Sequence, residues 1–331
     1  MEDRAIALLD HYEIEVTGTK KGRGAILCDA DKGSLIFKEY TGNVGRLKKQ
    51  QVILNEIQSS SEKSCKIQVE QILPNKEGEL YVEDHDGVKY ILKTYCEGRE
   101  FRVRDREDCL RAVKILSDLH ERMQMPRLEE EHIFSPAKEY EKRNKELKKV
   151  KKYLLQKGQK SVFERALLQE YDFFLEQAIA MTEEWKKYEE RFDREIVTSE
   201  KVVWCHGDYQ YHNVLLNENT CFIINFEHFI VDDQIRDLHL LMRKLLEKNN
   251  WSFSLGRDLL EAYSKKRKLS AISYIDLYYR LAYPEKFWKI VNFYYNVRKS
   301  WIPEKNREKL LKLVEQEKDK QAFLNQVFRE V

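Results

Sequence analysis

The first 95 positions alternate short apolar runs with turn residues. Gly24–Cys28 and Ser34–Tyr40 are apolar runs divided by Asp29-Ala30-Asp31-Lys32-Gly33, and the pattern predicts two strands joined by a turn. From Leu47 to Ile57 the spacing changes to that of a helix, with Leu47, Leu54 and Ile57 near one face. Further strands are expected at Ile67–Leu73, Glu79–Glu83 and Lys89–Tyr95. The order is strand, strand, helix, then strands.

Cys96-Glu97-Gly98-Arg99-Glu100 breaks this pattern, and the chain beyond it is mostly helical. Asp105–Met123 carries Leu110, Val113, Leu116, Leu119 and His120 at helical spacing. Ala137–Phe192 is long and charged, with Leu147, Val150, Leu154, Leu167, Tyr171, Phe174 and Leu175 as its apolar stripe. It reads as two or three helices interrupted near Gly158. A coiled coil is the alternative there, but no strict heptad persists. Helical spacing continues over Leu238–Lys248, Leu255–Lys265, Tyr274–Leu281, Phe287–Val297 and Glu304–Val331. The fold class expected is α+β: a small β-rich lobe over 1–95 and a large helical lobe over 96–331.

Composition changes this picture little. The 331 residues carry 59 Lys and Arg against 57 Asp and Glu, a net charge of +2 that gives no reason to infer nucleic acid or an acidic membrane as partner. Cys28, Cys65, Cys96, Cys109, Cys205 and Cys221 are too scattered for a zinc or redox motif and suit buried, reduced thiols. No signal peptide and no apolar stretch of about 20 residues is evident, so neither export nor a membrane span is expected. Trp288, Tyr294, Tyr295 and Trp301 have the spacing of a buried helical stripe, and Lys138–Lys160 that of a solvated helix face.

One segment carries chemistry. Val202–Cys205 leads as a strand into His206-Gly207-Asp208; four residues intervene before Asn213, and the apolar Val214–Leu216 follows. A turn at Asn217-Glu218-Asn219 precedes the strand Cys221–Ile224, which ends in Asn225-Phe226-Glu227. Phosphoryl transfer needs these residue types. A carboxylate accepts or orients the proton of the attacking hydroxyl, and an amide oxygen and an acid hold magnesium against nucleotide phosphates. Such chemistry is mostly positioning and charge neutralisation, so few groups suffice if they sit at rigid strand ends.

The segment resembles the catalytic loop of the aminoglycoside and choline phosphotransferases, which have a two-lobed, protein-kinase-like fold. Within that group the chain resembles the CotS-type spore coat proteins. That closer likeness rests on Cys205–Asp208 with Asn213, on Asp237–Leu246, and on Leu281–Trp288 followed by Tyr294-Tyr295.

The resemblance implies roles residue by residue. Asp208 is the catalytic base position, with His206 buttressing the loop. Asn213 and Asn225 are the magnesium positions, and Glu227 is a candidate to compensate where the family has Asp in place of Asn225. Lys38 reaches nucleotide phosphates, faces Asn225 and pairs with Glu56; Lys93 is the lysine that would stand there if Lys38 pointed outward. Thr94, Tyr95, Cys96 and Glu97 form the hinge beside the adenine of ATP, and Asp237 holds the loop. The phosphate-covering loop, Thr19-Lys20-Lys21-Gly22-Arg23-Gly24, has two glycines but not a full glycine-rich pattern.

Two functions remain open. One is a spore coat-associated kinase-like protein, a pseudokinase with weak or lost phosphotransfer. The other is an active ATP- and magnesium-dependent phosphotransferase acting on the hydroxyl of a small metabolite or sugar-like substrate. The resemblance further implies synthesis in the mother-cell cytoplasm, deposition in the spore coat, and other coat proteins or a small hydroxylated substrate as partners.

Overall fold

In the computed structural model the described residues are 2–22, 24–59, 66–125, 135–191, 203–217, 220–296 and 304–328. Cys65, Trp301, Arg23 of the glycine-containing loop, Val202, Phe192, Val297 and the turn residues Glu218 and Asn219 lie outside them. Two compact units emerge, Met1–Met125 with Cys205–Ile230, and Pro126–Trp204 with Val231–Val331.

The first unit opens with α1 (Glu2–Ala7), followed by β1 (Val16–Lys21), β2 (Ile26–Ala30) and β3 (Gly33–Glu39). Next come α2 (Val44–Ser59), β4 (Lys66–Val69), β5 (Ile72–Leu73), β6 (Val82–Glu83) and β7 (Lys89–Thr94). α1 was not among the expected elements, and neither was β1, because Val16-Thr17-Gly18-Thr19-Lys20-Lys21 has no apolar alternation. It is recruited by antiparallel pairing with β2. The main sheet runs β1-β2-β3-β7-β5, with β6 also on β7. One face packs Leu35, Phe37 and Leu92 with Leu9, Tyr12 and Ala5 from the N-terminal helical segment.

The run Ile67–Leu73, expected as one strand, is two. β5 pairs with β7 in the main sheet, whereas β4 pairs in parallel with β11 (Thr220–Ile223) in a second sheet ordered β4-β11-β10-β8. Here β8 is Arg99–Glu100 and β10 is Val214–Leu216. The break falls at Glu70, a buried charge. This second sheet is why residues 205–230 belong to the first unit although they lie a hundred residues further along the chain. α3 (Arg106–Arg122) joins the same unit. Asp105 caps α3 by accepting from the amide of Asp108 at 3.0 Å. The Asp108 carboxylate in turn takes both guanidinium arms of Arg99 at 2.7 and 2.9 Å.

The second unit is helical: α4 (Pro136–Gln156), α5 (Val162–Arg191), α6 (Ile235–Lys248), α7 (Phe253–Ser264), α8 (Ala271–Ala282), α9 (Glu285–Asn296) and α10 (Glu304–Val327). The interruption near Gly158 separates α4 from α5, which pack as a hairpin around Leu147, Val150, Leu154, Leu167, Tyr171 and Phe174. Tyr283 stacks on Tyr140 with ring centroids 4.0 Å apart. Its hydroxyl donates to Asn144 Oδ1 at 3.0 Å, and Asn144 Nδ2 donates to Thr182 Oγ1 at 2.8 Å. A buried amide is thereby satisfied on both sides, as burial requires. Arg280, fully buried, faces the carboxylates of Asp232 and Asp276 at 3.3 Å.

Candidate functional site

The strand β9 (Val203–Cys205) ends in His206, which is buried. The amide of Asp208 donates to His206 Nδ1 at 3.2 Å, so this nitrogen is an acceptor and the ring proton sits on Nε2, which donates to the carbonyl of Ile224 at 3.0 Å. One imidazole thus ties the loop after β9 to the end of β11. Gly207 between them has φ +80°, and a Cβ there would stand 1.9 Å from the carbonyl oxygen of His228, so glycine is required. Tyr209 anchors the loop to α3 through a bond from its hydroxyl to the carbonyl of Ala112 at 2.9 Å.

Asp208 and Asn213 come together as the five-residue offset suggests. Asn213 Nδ2 donates to the Asp208 carbonyl at 2.8 Å and to its Oδ2 at 3.0 Å, while Gln210 donates to Oδ1. Asn225 joins them: its Nδ2 donates to Asn213 Oδ1 at 2.8 Å. It adopts the left-handed conformation, φ 64° and ψ 53°, which asparagine tolerates better than most residues.

A buried ion pair holds the far side of this group. Glu70 is 1% exposed and Lys93 3% exposed, and the ammonium reaches Glu70 Oε2 at 2.6 Å. Glu70 Oε1 accepts the backbone amides of Asn225 at 2.9 Å and Phe226 at 3.2 Å. Lys93 also donates to Asn225 Oδ1 at 3.3 Å and stands 3.6 Å from Glu227. Burial opposes the charge on Lys93, but Glu70 and Glu227 outweigh it and raise its pKa. Burial likewise opposes ionisation of Glu227, yet Lys93 and Lys38 bring its carboxyl down to about 2.

Lys38 lies in the same cluster, with a different partner from the one expected. Its ammonium bonds Glu227 Oε1 at 2.7 Å. Glu227 on the loop, rather than Glu56 on α2, is the carboxylate it meets, and Glu56 is exposed. The lysine that bonds Asn225 is Lys93. Register explains both placements. In the β3–β7 ladder Ile36 opposes Lys93 and Lys38 opposes Ile91, and opposed residues share a face. That face is opposite to the one on which Leu35 and Phe37 are buried. Both lysines therefore project toward the loop. The metal expectation for Glu227 meets a carboxylate already held by two ammoniums.

Of the hinge candidates, Thr94 Oγ1 accepts the amide of Gln71 at 2.9 Å, Tyr95 and Glu97 are exposed, and Cys96 is buried. Burial, then the charge of Glu70, push the Cys96 thiol up to about 11. Asp237 is buried in α6 of the second unit. Sequence reasoning missed Glu70 altogether and gave Lys93 second place. The available signal was one acid and one base, each the lone charge in a stretch of expected strand, Ile67–Leu73 and Tyr90–Thr94.

Arg46 on α2 braces the turn after Asn225. Its Nε donates to the carbonyl of Glu227 at 3.2 Å, a second arm donates to that of Phe229, and the guanidinium lies 4.0 Å from the Phe229 ring centroid.

A β-rich unit holding an Asp-x-x-x-x-Asn loop between strands, together with a helical unit, defines the class: the kinase-like fold of small-molecule phosphotransferases. Solved structures share that fold. An aminoglycoside phosphotransferase from Alicyclobacillus acidocaldarius superposes with a TM-score of 0.80 at 17% identity, over 98% of this chain and 95% of its own. Spectinomycin phosphotransferase in complex with ADP and spectinomycin gives 0.65 at 15% identity, over 97% and 98%. Choline kinase from Cryptosporidium parvum gives 0.58 at 12% identity, over 98% and 96%. No curated protein matches the sequence. A family model described as "Spore coat putative kinase YutH" matches residues 6–327, and the chain belongs to this CotS-like family.

Proposed function

We propose that this chain is a kinase-like component of the spore coat, a pseudokinase whose site takes a nucleotide and transfers phosphate weakly or not at all. Its place in the family supports the coat assignment. No helix among the described residues is long and apolar enough to cross a membrane, so membrane insertion through a helix is not part of this reading. The observation that carries the pseudokinase reading is the bond from Asn225 to Asn213, which joins two side chains that would otherwise both turn an oxygen to a cation. Nucleotide phosphates would meet Lys38, the more exposed of the two lysines at 27% of its side chain. Other coat proteins are the proposed partners.

A second reading, an active ATP-dependent phosphotransferase acting on the hydroxyl of a small metabolite, is favoured by Asp208. Its carboxylate is held by Asn213 and Gln210, and a fixed carboxylate is the kind of group that takes the proton of an acceptor hydroxyl. Binding of a fluorescent ATP analogue, ATP turnover by the purified chain, and coat assembly in an Asp208→Ala strain separate the two. The pseudokinase reading expects binding, turnover at background and a normal coat. Turnover at the rates of working kinases, about 1 s⁻¹ or more, that Asp208→Ala abolishes, or a coat that fails while the variant stays folded, would overturn it.

A further inference from the structure

The fold implies magnesium, and the donor set of this site does not fit it. Magnesium takes oxygen ligands at about 2.0–2.1 Å and is held through carboxylates. The two side chains at the metal positions are both amides. Asn213 Oδ1 accepts from Asn225, and Asn225 Oδ1 accepts from Lys93. The polarity of this chain of bonds is forced by its ends. The Asp208 carboxylate only accepts and the Lys93 ammonium only donates, so each amide in between must turn its nitrogen toward Asp208 and its oxygen toward Lys93. A carboxylate at 225 would instead face Asn213 Oδ1 oxygen to oxygen, an arrangement that calls for a cation between them.

Charge points the same way. The Lys38 and Lys93 ammoniums are matched by Glu70 and Glu227. Among the described carboxylates of this cluster, Asp208 is then the one left to offset a divalent ion, which would also have to settle beside the Lys93 ammonium. Lys93 itself is fixed by Glu70, and Glu70 is fixed by two backbone amides of the loop.

We infer that the Lys93–Asn225–Asn213–Asp208 chain takes the place of the catalytic divalent cation in this protein, so that the site excludes the metal and any nucleotide it holds is bound without one. The second clause rests on the nucleotide-site reading above; the first does not. Titration of the full chain with Mn2+, followed by water-proton relaxation, tests the first directly. The native protein is expected to show no site that Asn213→Ala removes, and Asn225→Asp to create one. Native micromolar Mn2+ binding that Asn213→Ala abolishes would overturn the inference. ADP binding in EDTA and in millimolar Mg2+ tests the second. Affinities within threefold are expected for the native chain, with at least a tenfold gain from Mg2+ for Asn225→Asp. A native affinity that drops tenfold or more in EDTA would overturn it. If the native chain and Asn225→Asp both fail to bind ADP under either condition, the nucleotide reading falls, while the metal result stands on its own.

Discussion

The pair formed by Lys93 and Glu70 gives a quantitative test of how this site is held. Both side chains are almost fully buried, at 4% and 1% exposure, and sit 2.6 Å apart. Removing one partner from such a pair leaves an uncompensated charge in a poorly solvated place and costs about 3–5 kcal/mol, whereas replacing both is often near neutral. Glu70→Gln keeps an oxygen for the amides of Asn225 and Phe226 but removes the charge facing Lys93. Glu227 at 3.6 Å still attracts that ammonium, so the lower end, about 3 kcal/mol, is expected. Lys93→Met leaves Glu70 with two backbone donors and should cost about 2 kcal/mol. The double variant should cost less than the sum of the singles by about 2 kcal/mol, the coupling expected of groups in direct contact. Urea denaturation followed by circular dichroism, read as a double-mutant cycle, measures this. For a unit of this size about 2–4 °C of Tm accompanies each kcal/mol, so Glu70→Gln should lower Tm by about 6–12 °C. Additivity of the two substitutions to within about 0.5 kcal/mol would refute the claim that they act as one pair.

The buried polar groups of the helical unit give two more expected outcomes. Burial works against ionisation of Glu164, but Lys157, Tyr294 and the amide of Ser161 outweigh it and hold the carboxyl at about 2. A lowered folded pKa means stability that is complete above the ordinary glutamate value of about 4.3 and is lost as pH falls toward 2. Glu164→Gln should therefore flatten the fall in Tm between pH 5 and pH 3, and an unchanged slope would remove Glu164 from the account. Tyr283→Phe deletes the donor to Asn144 Oδ1 in a closed environment and should cost about 1–3 kcal/mol by urea denaturation. A cost under about 0.5 kcal/mol would show that the amide finds another partner.

The sequence by itself determined most of the helices and several strands, though not α1 or β1, and the chemistry that depends on short spacings. Turn residues at Asp29–Gly33, the helical period over Leu47–Ile57 and the break at Gly158 are local signals, and local backbone preferences are enough to act on them. The loop from His206 to Asn213 is legible for the same reason: two apolar strands flank a fixed offset, and Gly207 has only one residue type that fits. Tertiary structure decided which charges meet. Ile67–Leu73 looks like one strand because Ile67, Val69, Ile72 and Leu73 run through it with no turn residue between them. Only the partners β11 and β7 divide it, and the division is what turns Glu70 inward toward Asn225. Lys38 and Lys93 are equivalent in composition; the β3–β7 register places both on one face, and the position of Glu70 gives Asn225 to Lys93. The identity of Asn225 was plain from the start. That its amide completes a directed chain from an ammonium to Asp208 depends on Lys93, which comes from a strand more than a hundred residues before the Asp208–Asn225 segment, and no periodicity along the sequence encodes their meeting.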